Sequence, residues 1–358
     1  MTNIEGLGAV RLVENLLPEL LAINPSISKV LTPDTDQFEL ITKDFGVNSI
    51  KKRRFLPKPI SRALEVLFPG AGLMGCGPFI VLGDMPIRRL KGQVVLVHNL
   101  HLVERPRPRL TLEYFKTSLM QLLFSINSKY VSQFIVQTEV MKTALCSRYN
   151  IDEGHVHVIP HPPPKWVTHR PRANSAKMKT ERKSLRLFYP ARAYPHKNHA
   201  LLNSPHAEGL ADRIESLTLT ISPQLNPRKD ATWINCVGEL DFSEVMRHYE
   251  ESDALVFLSK AESYGLPLIE AIWLEKPIIC PDLPYARSIC AEGAIYFDPD
   301  SFASFASAID QLYETVPRGK IQDWSEQRRR FPETWHEVAK RFFEVCNLAV
   351  SEAKERTH

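Results

Sequence analysis

At 358 residues the chain is too long for one typical domain and comfortable for two, and its 44 % hydrophobic, 24 % charged composition is that of a soluble globular protein. Six cysteines (76, 146, 236, 280, 290 and 346) form no CxxC pair and no metal-ligand spacing, which sets aside a disulfide framework and leaves reduced cytosolic thiols as the plain reading. The net charge of +4 is unevenly shared: residues 1–165 carry 20 Lys/Arg against 14 Asp/Glu, net +6, and residues 166–358 carry 25 against 27, net −2.

The opening residues, "MTNIEGLGAV", lack the charged-then-apolar pattern of a signal peptide. A helical pattern occupies 10–22. The basic clusters "KKRR" (51–54), "RRLK" (88–91) and "RPRPR" (105–109) all lie in the first half. They suit an anionic partner, phosphorylated or a membrane surface, with an ordinary solvated face as the alternative. Strands are expected at 65–68, 79–82, 94–97, 134–137 and 156–159, and helices at 110–130 and 139–149. The helix at 110–130 is apolar over most of its surface, so a buried packing helix is the plain reading. A face that dips into a membrane interface is the alternative. The uncharged run from Val66 to Gly83 is as long as a membrane span, but its glycines and prolines make it strand, loop, strand.

Two local patterns are set aside. "GAGLMG" (70–75) matches GxGxxG, but "CGPFIVLG" follows where a dinucleotide fingerprint needs a helix. The triplets Asp34-Thr-Asp36 and Asp298-Pro-Asp300 resemble a metal clamp, yet the second flanks a proline after a strand and reads as a turn.

Residues 160–184 open "PHPPPKW" and continue polar and basic, which is linker composition. Beyond it, strands are expected at 185–189, 216–221, 234–237, 254–258, 277–280 and 294–297, with helices between. Strands alternating with helices argue for α/β architecture with parallel sheets. The expected organisation is a first domain over 1–165, a linker over 166–184, a second domain over 185–335 and a closing helix over 336–358 that packs back on the first domain. A cleft is expected between the two domains.

Two segments of the second domain carry chemistry. In "FYPARAYPHKNHALL" (188–202) a strand ends at Tyr189, and Arg192 and Lys197 follow on a proline-containing turn. Two cations on a loop after a parallel strand suit a diphosphate, Arg as a planar fork and Lys as a point charge. In "AESYGLPLIEA" (261–271) Glu262 follows an apolar strand, and Glu270 falls in the first turn of the next helix. The glycine-containing turn between them offers backbone amides to an anion.

Together "ARAYPHKNHALL", "CVGEL", "SDALVFLSKAESYGLPLIEAIWLEKPIICPDLPYAR", "AIYFDPDSFASFASAI" and "RFPETWHEVAKRFFEV" resemble the retaining family-4 glycosyltransferases, of bacterial surface-polysaccharide type. The resemblance covers nearly all of residues 94–350. It implies the GT-B fold, two facing Rossmann-like doubly wound domains with the acceptor on the first and a nucleotide-sugar on the second. It implies that Arg192 and Lys197 hold the donor diphosphate and that Glu262 lies near the donor sugar's hydroxyls. Gly265 and Leu266 would present amides to sugar and phosphates within a donor-binding stretch that includes Ser263 and Tyr264. Glu270 would take the ribose hydroxyls, Gly238 and Glu239 would flank the base, and His98 would stand at the reaction centre, with His101 a nearby rival. Gly8 would lie on a glycine loop approaching the phosphates.

The resemblance further implies no cofactor and no metal: the nucleotide-sugar, UDP- or GDP-linked, is substrate. The implied partners are that donor, a glycan or lipid-linked acceptor and an anionic membrane touched peripherally, with no nucleic acid and a cytoplasmic location. A soluble acceptor such as a sugar phosphate, or a catalytically silent binding module, is the alternative. Three departures stand out. Only Met1 to Ile4 precede the glycine loop where the family has a strand, so the first strand is absent or the chain begins downstream of the usual start. Asn99 replaces a common aspartate, and Glu275 stands where a glycine is usual.

Overall fold

The computed structural model describes the chain apart from residues 1–6, 25–26, 28, 34–36, 53–55, 57, 69–77, 105–110, 169–182, 316–321 and 356–358. The GAGLMG run, Asp34-Thr-Asp36, Cys76, Arg53, Arg54, the RPRPR run and most of the linker lie outside the described residues. The chain divides into two compact units, one of Met1–Pro162 with Pro332–His358 and one of Pro163–Phe331.

The first unit runs α1 (Leu7–Ile23), β1 (Lys29–Pro33), α2 (Gln37–Asp44), β2 (Asn48–Lys52), α3 (Lys58–Leu67), β3 (Phe79–Val81), β4 (Gln93–Leu96), α4 (Leu112–Ser128), β5 (Val131–Val136), α5 (Glu139–Tyr149) and β6 (Val156–Val158). The second unit holds α6 (Lys165–Thr168), β7 (Leu185–Tyr189), β8 (Ile214–Leu219), β9 (Ile234–Cys236), α7 (Phe242–Glu251), β10 (Ala254–Val256), α8 (Leu266–Trp273), β11 (Ile278–Pro281), α9 (Pro284–Cys290), β12 (Ile295–Phe297), α10 (Phe302–Thr315) and α11 (Ser325–Arg328). The last helix, α12 (Trp335–Glu355), belongs to the first unit.

In the first unit β3, β4, β5 and β6 form a parallel sheet in that order, and β1 and β2 pair in parallel as a separate two-stranded sheet. Every residue of β4 is buried, as expected of a strand covered on both faces. Leu12, Val13, Leu16, Leu17, Leu20 and Leu21 of α1 recur at helical spacing and pack with Val338, Ala339, Phe342, Val345 and Ala349 of α12. Helix α5 starts at Thr138, whose hydroxyl accepts from the Met141 amide at 3.2 Å, and stops at Asn150 in the left-handed region.

In the second unit six parallel strands lie in the order β12-β11-β10-β7-β8-β9. Read from the other edge, this is the 3-2-1-4-5-6 order of a doubly wound sheet, and the order in which strands are added reverses between β7 and β10. The core contains Leu187, Phe188, Leu217, Leu255, Val256 and Ile279 from the strands and Tyr249, Leu268, Ile272 and Ile309 from the covering helices. Helix α7 opens on a capping box in which Asp241 accepts from the Glu244 amide and Glu244 accepts from that of Asp241, each at 2.9 Å.

Four expectations are corrected. The strand at 65–68 is the end of helix α3 and the bend after it: Ile60, Leu64 and Phe68 recur every fourth residue, so the short run "EVLF" belongs to a helical row. The paired strands β1 and β2 carry lysines and polar residues and have no apolar run to announce them. Gly8 is the second residue of α1 rather than part of a loop, because the helix begins three residues earlier than the pattern at 10–22 indicates. Helix α4 buries Gln121, Phe124 and Asn127 but leaves an apolar row in solvent, so it is not packed all round. None of the described helices is long and apolar enough to cross a membrane.

Candidate active site

The second unit's doubly wound order sets where a ligand can be held. In such sheets the loops leaving the strands' carboxyl ends diverge at the point of reversal and leave a crevice. Here those loops follow β7 and β10, which pair directly through Ala254–Leu187 and Leu255–Phe188. The β7 loop carries Arg192 and Lys197, and the β10 loop carries Glu262. The two loops are stitched together: Lys260 N–H donates to the His196 carbonyl at 2.7 Å, and Ser259 Oγ reaches the same carbonyl at 3.3 Å.

Lys197 Nζ and Glu262 Oε1 are joined by a short charged hydrogen bond, with the two side chains only 15 % and 14 % exposed. The ammonium also lies 5.6 Å from the centre of the Phe257 ring, a favourable position for a cation. Tyr189 OH donates to the Lys197 carbonyl at 2.8 Å and fixes the turn from below. Burial, with Glu262 adding to it, pushes the Tyr189 and Tyr285 phenols well up, so both stay protonated donors. Tyr285 OH donates to the Ser259 carbonyl, which ties α9 to the β10 loop. His199 packs against Tyr189, the rings tilted by 31° with their centres 5.1 Å apart. Burial, then the neighbouring Lys197 charge, lowers its pKa to about 4.

Arg192 pairs with Glu239, Nη2 to Oε1 at 3.1 Å, while its Nε is buried with no hydrogen-bond partner among the described residues. Glu239 follows Gly238, whose φ of +82° turns the chain away from β9 in a conformation that favours glycine. Gly265 likewise has φ +72° and opens α8 directly, with Leu266 and Pro267 as its first two residues. The first amides of a helix are not held by the usual ladder. In α8 Pro267 has no N–H and the Leu268 N–H donates to the Gly265 carbonyl at 3.0 Å, so of the first three residues Leu266 offers its N–H at the end of the Glu262 loop. Ser263 and Tyr264 span the gap, and Tyr264 is buried in the core.

Because Gly265 caps α8 and Leu266 is its first residue, Glu270 is its fifth residue and lies one turn inside the helix, not in the first turn. It is 5 % exposed, and Tyr249 OH on α7 donates to its Oε2 at 2.8 Å. A buried carboxylate requires such donors. Glu275, two residues past α8, adopts φ +55° where a glycine is usual, and its carboxylate accepts from Arg328 Nη1 at 3.1 Å.

In the first unit His98 follows β4 and is met by Asp84, which follows β3. One Asp84 oxygen accepts from the backbone amides of His98 at 2.7 Å and Asn99 at 3.0 Å, and lies 3.3 Å from His98 Nδ1. Asp84 holds φ +64°, a left-handed conformation that aims its side chain at the neighbouring strand's end. This Asp84–His98 contact has no signal in the sequence, being set by the register of two parallel strands. His101 is 59 % exposed and faces Glu104 at 3.5 Å, whereas His98 is 14 % exposed. No group of His, Cys, Asp and Glu suited to a metal ion occurs among the described residues.

The structure thus joins Lys197 to Glu262 and Arg192 to Glu239 in the second unit, with Gly265 and Leu266 on the Glu262 loop and Glu270 in the helix behind. Gly8 and His98 belong to the first unit. Residues 224–331, which include Glu239, Glu262, Gly265 and Glu270, match the family model of glycosyl transferases group 1. The second unit carries a group 1 glycosyltransferase domain.

The curated relatives point the same way. The chain is 25 % identical over 243 residues to the O-antigen chain mannosyltransferase RfbU of Salmonella typhimurium, a match covering 64 % of each chain. It is 36 % identical over 107 residues to the serotype-specific mannosyltransferase WbdA of Escherichia coli, covering 28 % of this chain and 12 % of that protein. The chain therefore spans less than two thirds of the length of these relatives. Among solved structures it is similar to the sucrose-phosphate synthase of Thermosynechococcus elongatus, with TM-score 0.66 and 14 % identity over 94 % of this chain and 92 % of that one. It is also similar to Anabaena HepE, solved with UDP and glucose, with TM-score 0.63 and 12 % identity over 97 % and 98 %. At these identities the likeness shows the fold alone, an α/β fold of GT-B type with two Rossmann-like units.

Proposed function

We propose that the protein transfers a sugar from a nucleotide-sugar to a glycan or lipid-linked acceptor in surface-polysaccharide synthesis, with retention of anomeric configuration and without a metal. The observation that carries this reading is the Lys197–Glu262 pair at the reversal point between β7 and β10. The Arg192 fork on the same β7 loop carries a buried Nε without a partner among the described residues, and the Leu266 amide at the start of α8 follows. These groups suit a diphosphate, and Glu262 suits the donor sugar's hydroxyls once the phosphate draws Lys197 away from it. Glu270, held by Tyr249, is assigned to the ribose hydroxyls, and Gly238 and Glu239 to the base.

In the proposed reaction the bond between the anomeric carbon and the phosphate oxygen breaks, and the nucleotide diphosphate leaves with the electron pair. The acceptor oxygen bonds to the same face of the anomeric carbon, and its proton passes to the departing phosphate oxygen. Charge grows on that phosphate, and fixed cations and amides aimed at such charge contribute about 3–4 kcal/mol for one well-placed donor. The first unit is assigned to the acceptor, with His98, oriented by Asp84, serving the reacting groups. The proposed location is the cytoplasmic side of the membrane, with peripheral contact.

Release of nucleotide from a panel of UDP-, GDP-, dTDP- and ADP-sugars, with acceptor extract, tests this. Mannosyl donors come first, given what the relatives are called. The expected result is turnover of one donor, abolished by Lys197→Ala. Absence of turnover with every donor favours a silent binding module instead. Turnover confined to a soluble sugar-phosphate acceptor favours the soluble-acceptor alternative.

A further inference from the structure

Helix α4 carries a feature that the transfer reaction does not use. Leu112, Phe115, Leu119, Leu122 and Ile126 recur at alternating spacings of three and four, and all five are between 39 % and 70 % exposed. They form one row opposite the face that buries Gln121, Phe124 and Asn127. Helix α3 touches α4 and adds Ile60 and Leu64, with Phe68 just beyond it at 68 % exposed. Large apolar side chains standing singly in water are ordinary, but a row of five along one helix face, with three more exposed on or just beyond the helix it touches, marks an interaction surface.

Charge identifies the partner. Residues 51–129, which contain both helices, hold 14 Lys/Arg against 4 Asp/Glu, net +10, whereas residues 1–50 hold 3 against 7 and residues 130–165 hold 3 against 3. The first half's positive excess is therefore concentrated in the segment that bears the apolar row. Lys116 on α4 and Lys129, which caps its C-terminus, are both exposed. The turn with exposed Arg89 and Lys91 is fastened between the two helices: Arg88 N–H donates to the Val66 carbonyl at 2.8 Å, and Asn127 Nδ2 to the Pro86 carbonyl at 3.1 Å. An apolar stripe flanked by lysines that keep their charged ends at the headgroup level is the chemistry of a helix lying in a lipid interface. A protein partner would need matching acidic groups around an apolar ridge; an anionic bilayer supplies both at once.

We propose that the α3–α4 face is a membrane-docking surface that lays its apolar row into the headgroup layer of an anionic bilayer. This deepens the membrane contact of the proposed function and rests on that part of it, not on donor chemistry. The test is flotation of the full-length protein with vesicles of phosphatidylglycerol mixed with phosphatidylcholine, against pure phosphatidylcholine, for wild type, Leu119→Gln/Leu122→Gln and Lys116→Gln/Lys129→Gln. Both apolar side chains are solvent-facing, so their replacement leaves the core intact, which circular dichroism checks. Wild type is expected to float with the anionic vesicles and to be released by salt. The leucine variant should lose binding by about tenfold or more and the lysine variant by roughly fivefold for each charge removed. Donor turnover with soluble substrates should be unchanged in both variants, and its absence in the wild type undoes the transferase reading while leaving the docking result standing. Wild type that stays unbound, or a leucine variant that floats as well as wild type, overturns the proposal. So does a wild-type dimer in sedimentation that the leucine variant dissolves, because the face would then belong to a second copy of the chain.

Discussion

Lys197 and Glu262 neutralise each other across the point where the strand order of the second unit's sheet reverses, one on the loop after β7 and the other on the loop after β10. A diphosphate that takes Lys197 must compete with that carboxylate. Removing the competing charge while keeping its shape is therefore expected to strengthen product binding and weaken turnover together. In Glu262→Gln the affinity for the free nucleoside diphosphate should rise by roughly three- to tenfold. The kcat for sugar transfer should fall by about a hundredfold, the range reported for a single preorganised group. Calorimetry with UDP and GDP, set beside steady-state rates, measures both. Equal losses of nucleotide affinity and rate would show that Glu262 does not restrain Lys197. Lys197→Ala should lose both affinity and rate, with transfer down at least about a hundredfold.

Glu270 is expected to behave differently, because its carboxylate is buried and held by Tyr249. Glu270→Ala should cut activity about a hundredfold or more while the protein still folds, as for the removal of a donor-site group of this kind. Tyr249→Phe keeps the carboxylate but removes one of its donors, worth about 1–3 kcal/mol when buried. The expected signature is a KM for donor raised roughly tenfold with kcat little changed. Donor-saturation curves for the two variants separate the roles. A Tyr249→Phe enzyme with a wild-type KM would mean that Tyr249 supports only the fold.

Glu275 occupies a left-handed position that a glycine fills without steric cost, and its pair with Arg328 is partly exposed. The left-handed conformation costs a side chain about 1–2 kcal/mol, and a partly exposed ion pair returns about 1 kcal/mol or less. Glu275→Gly is thus expected to leave stability unchanged or raise it by up to about 1 kcal/mol, although glycine also gains freedom in the unfolded chain. Urea denaturation decides it. A loss above about 2 kcal/mol would mean that the Arg328 contact matters more than the backbone.

The parts of the fold that were legible in the sequence are those with local causes. Strand β7 and helix α5 have the bounds that apolar runs and the Thr138 cap indicate, and the loops bearing Lys197 and Glu262 both leave parallel strands. What the sequence concealed is tertiary. The contact of Asp84 with His98 joins residues 14 apart, and that of Tyr249 with Glu270 joins residues 21 apart. Neither follows from spacing, since each depends on which strands and helices lie side by side. The place of Glu270 was misread for a local reason: the left-handed Gly265 lets α8 begin at Leu266, which carries Glu270 past the first turn. Helix α4 was misread because an apolar sequence does not say which of its faces the rest of the unit covers.

Two buried histidines make stability depend on pH in a defined direction. Burial and the Lys197 charge lower His199 in the second unit to about 4, and burial lowers His161 in the first unit to about 3. In the unfolded chain both titrate near the ordinary value of about 6.5. Between that value and the folded one the unfolded state binds more protons, so unfolding becomes easier as pH falls. The contribution is fully present above about pH 6.5 and is lost progressively toward pH 4, amounting to as much as about 3 kcal/mol for His199. His199→Phe removes the titrating group while keeping a ring against Tyr189. Urea midpoints at pH 7.5 and pH 5 should therefore differ less in this variant than in wild type. A variant that loses as much stability as wild type between those two conditions would place the acid sensitivity on other groups.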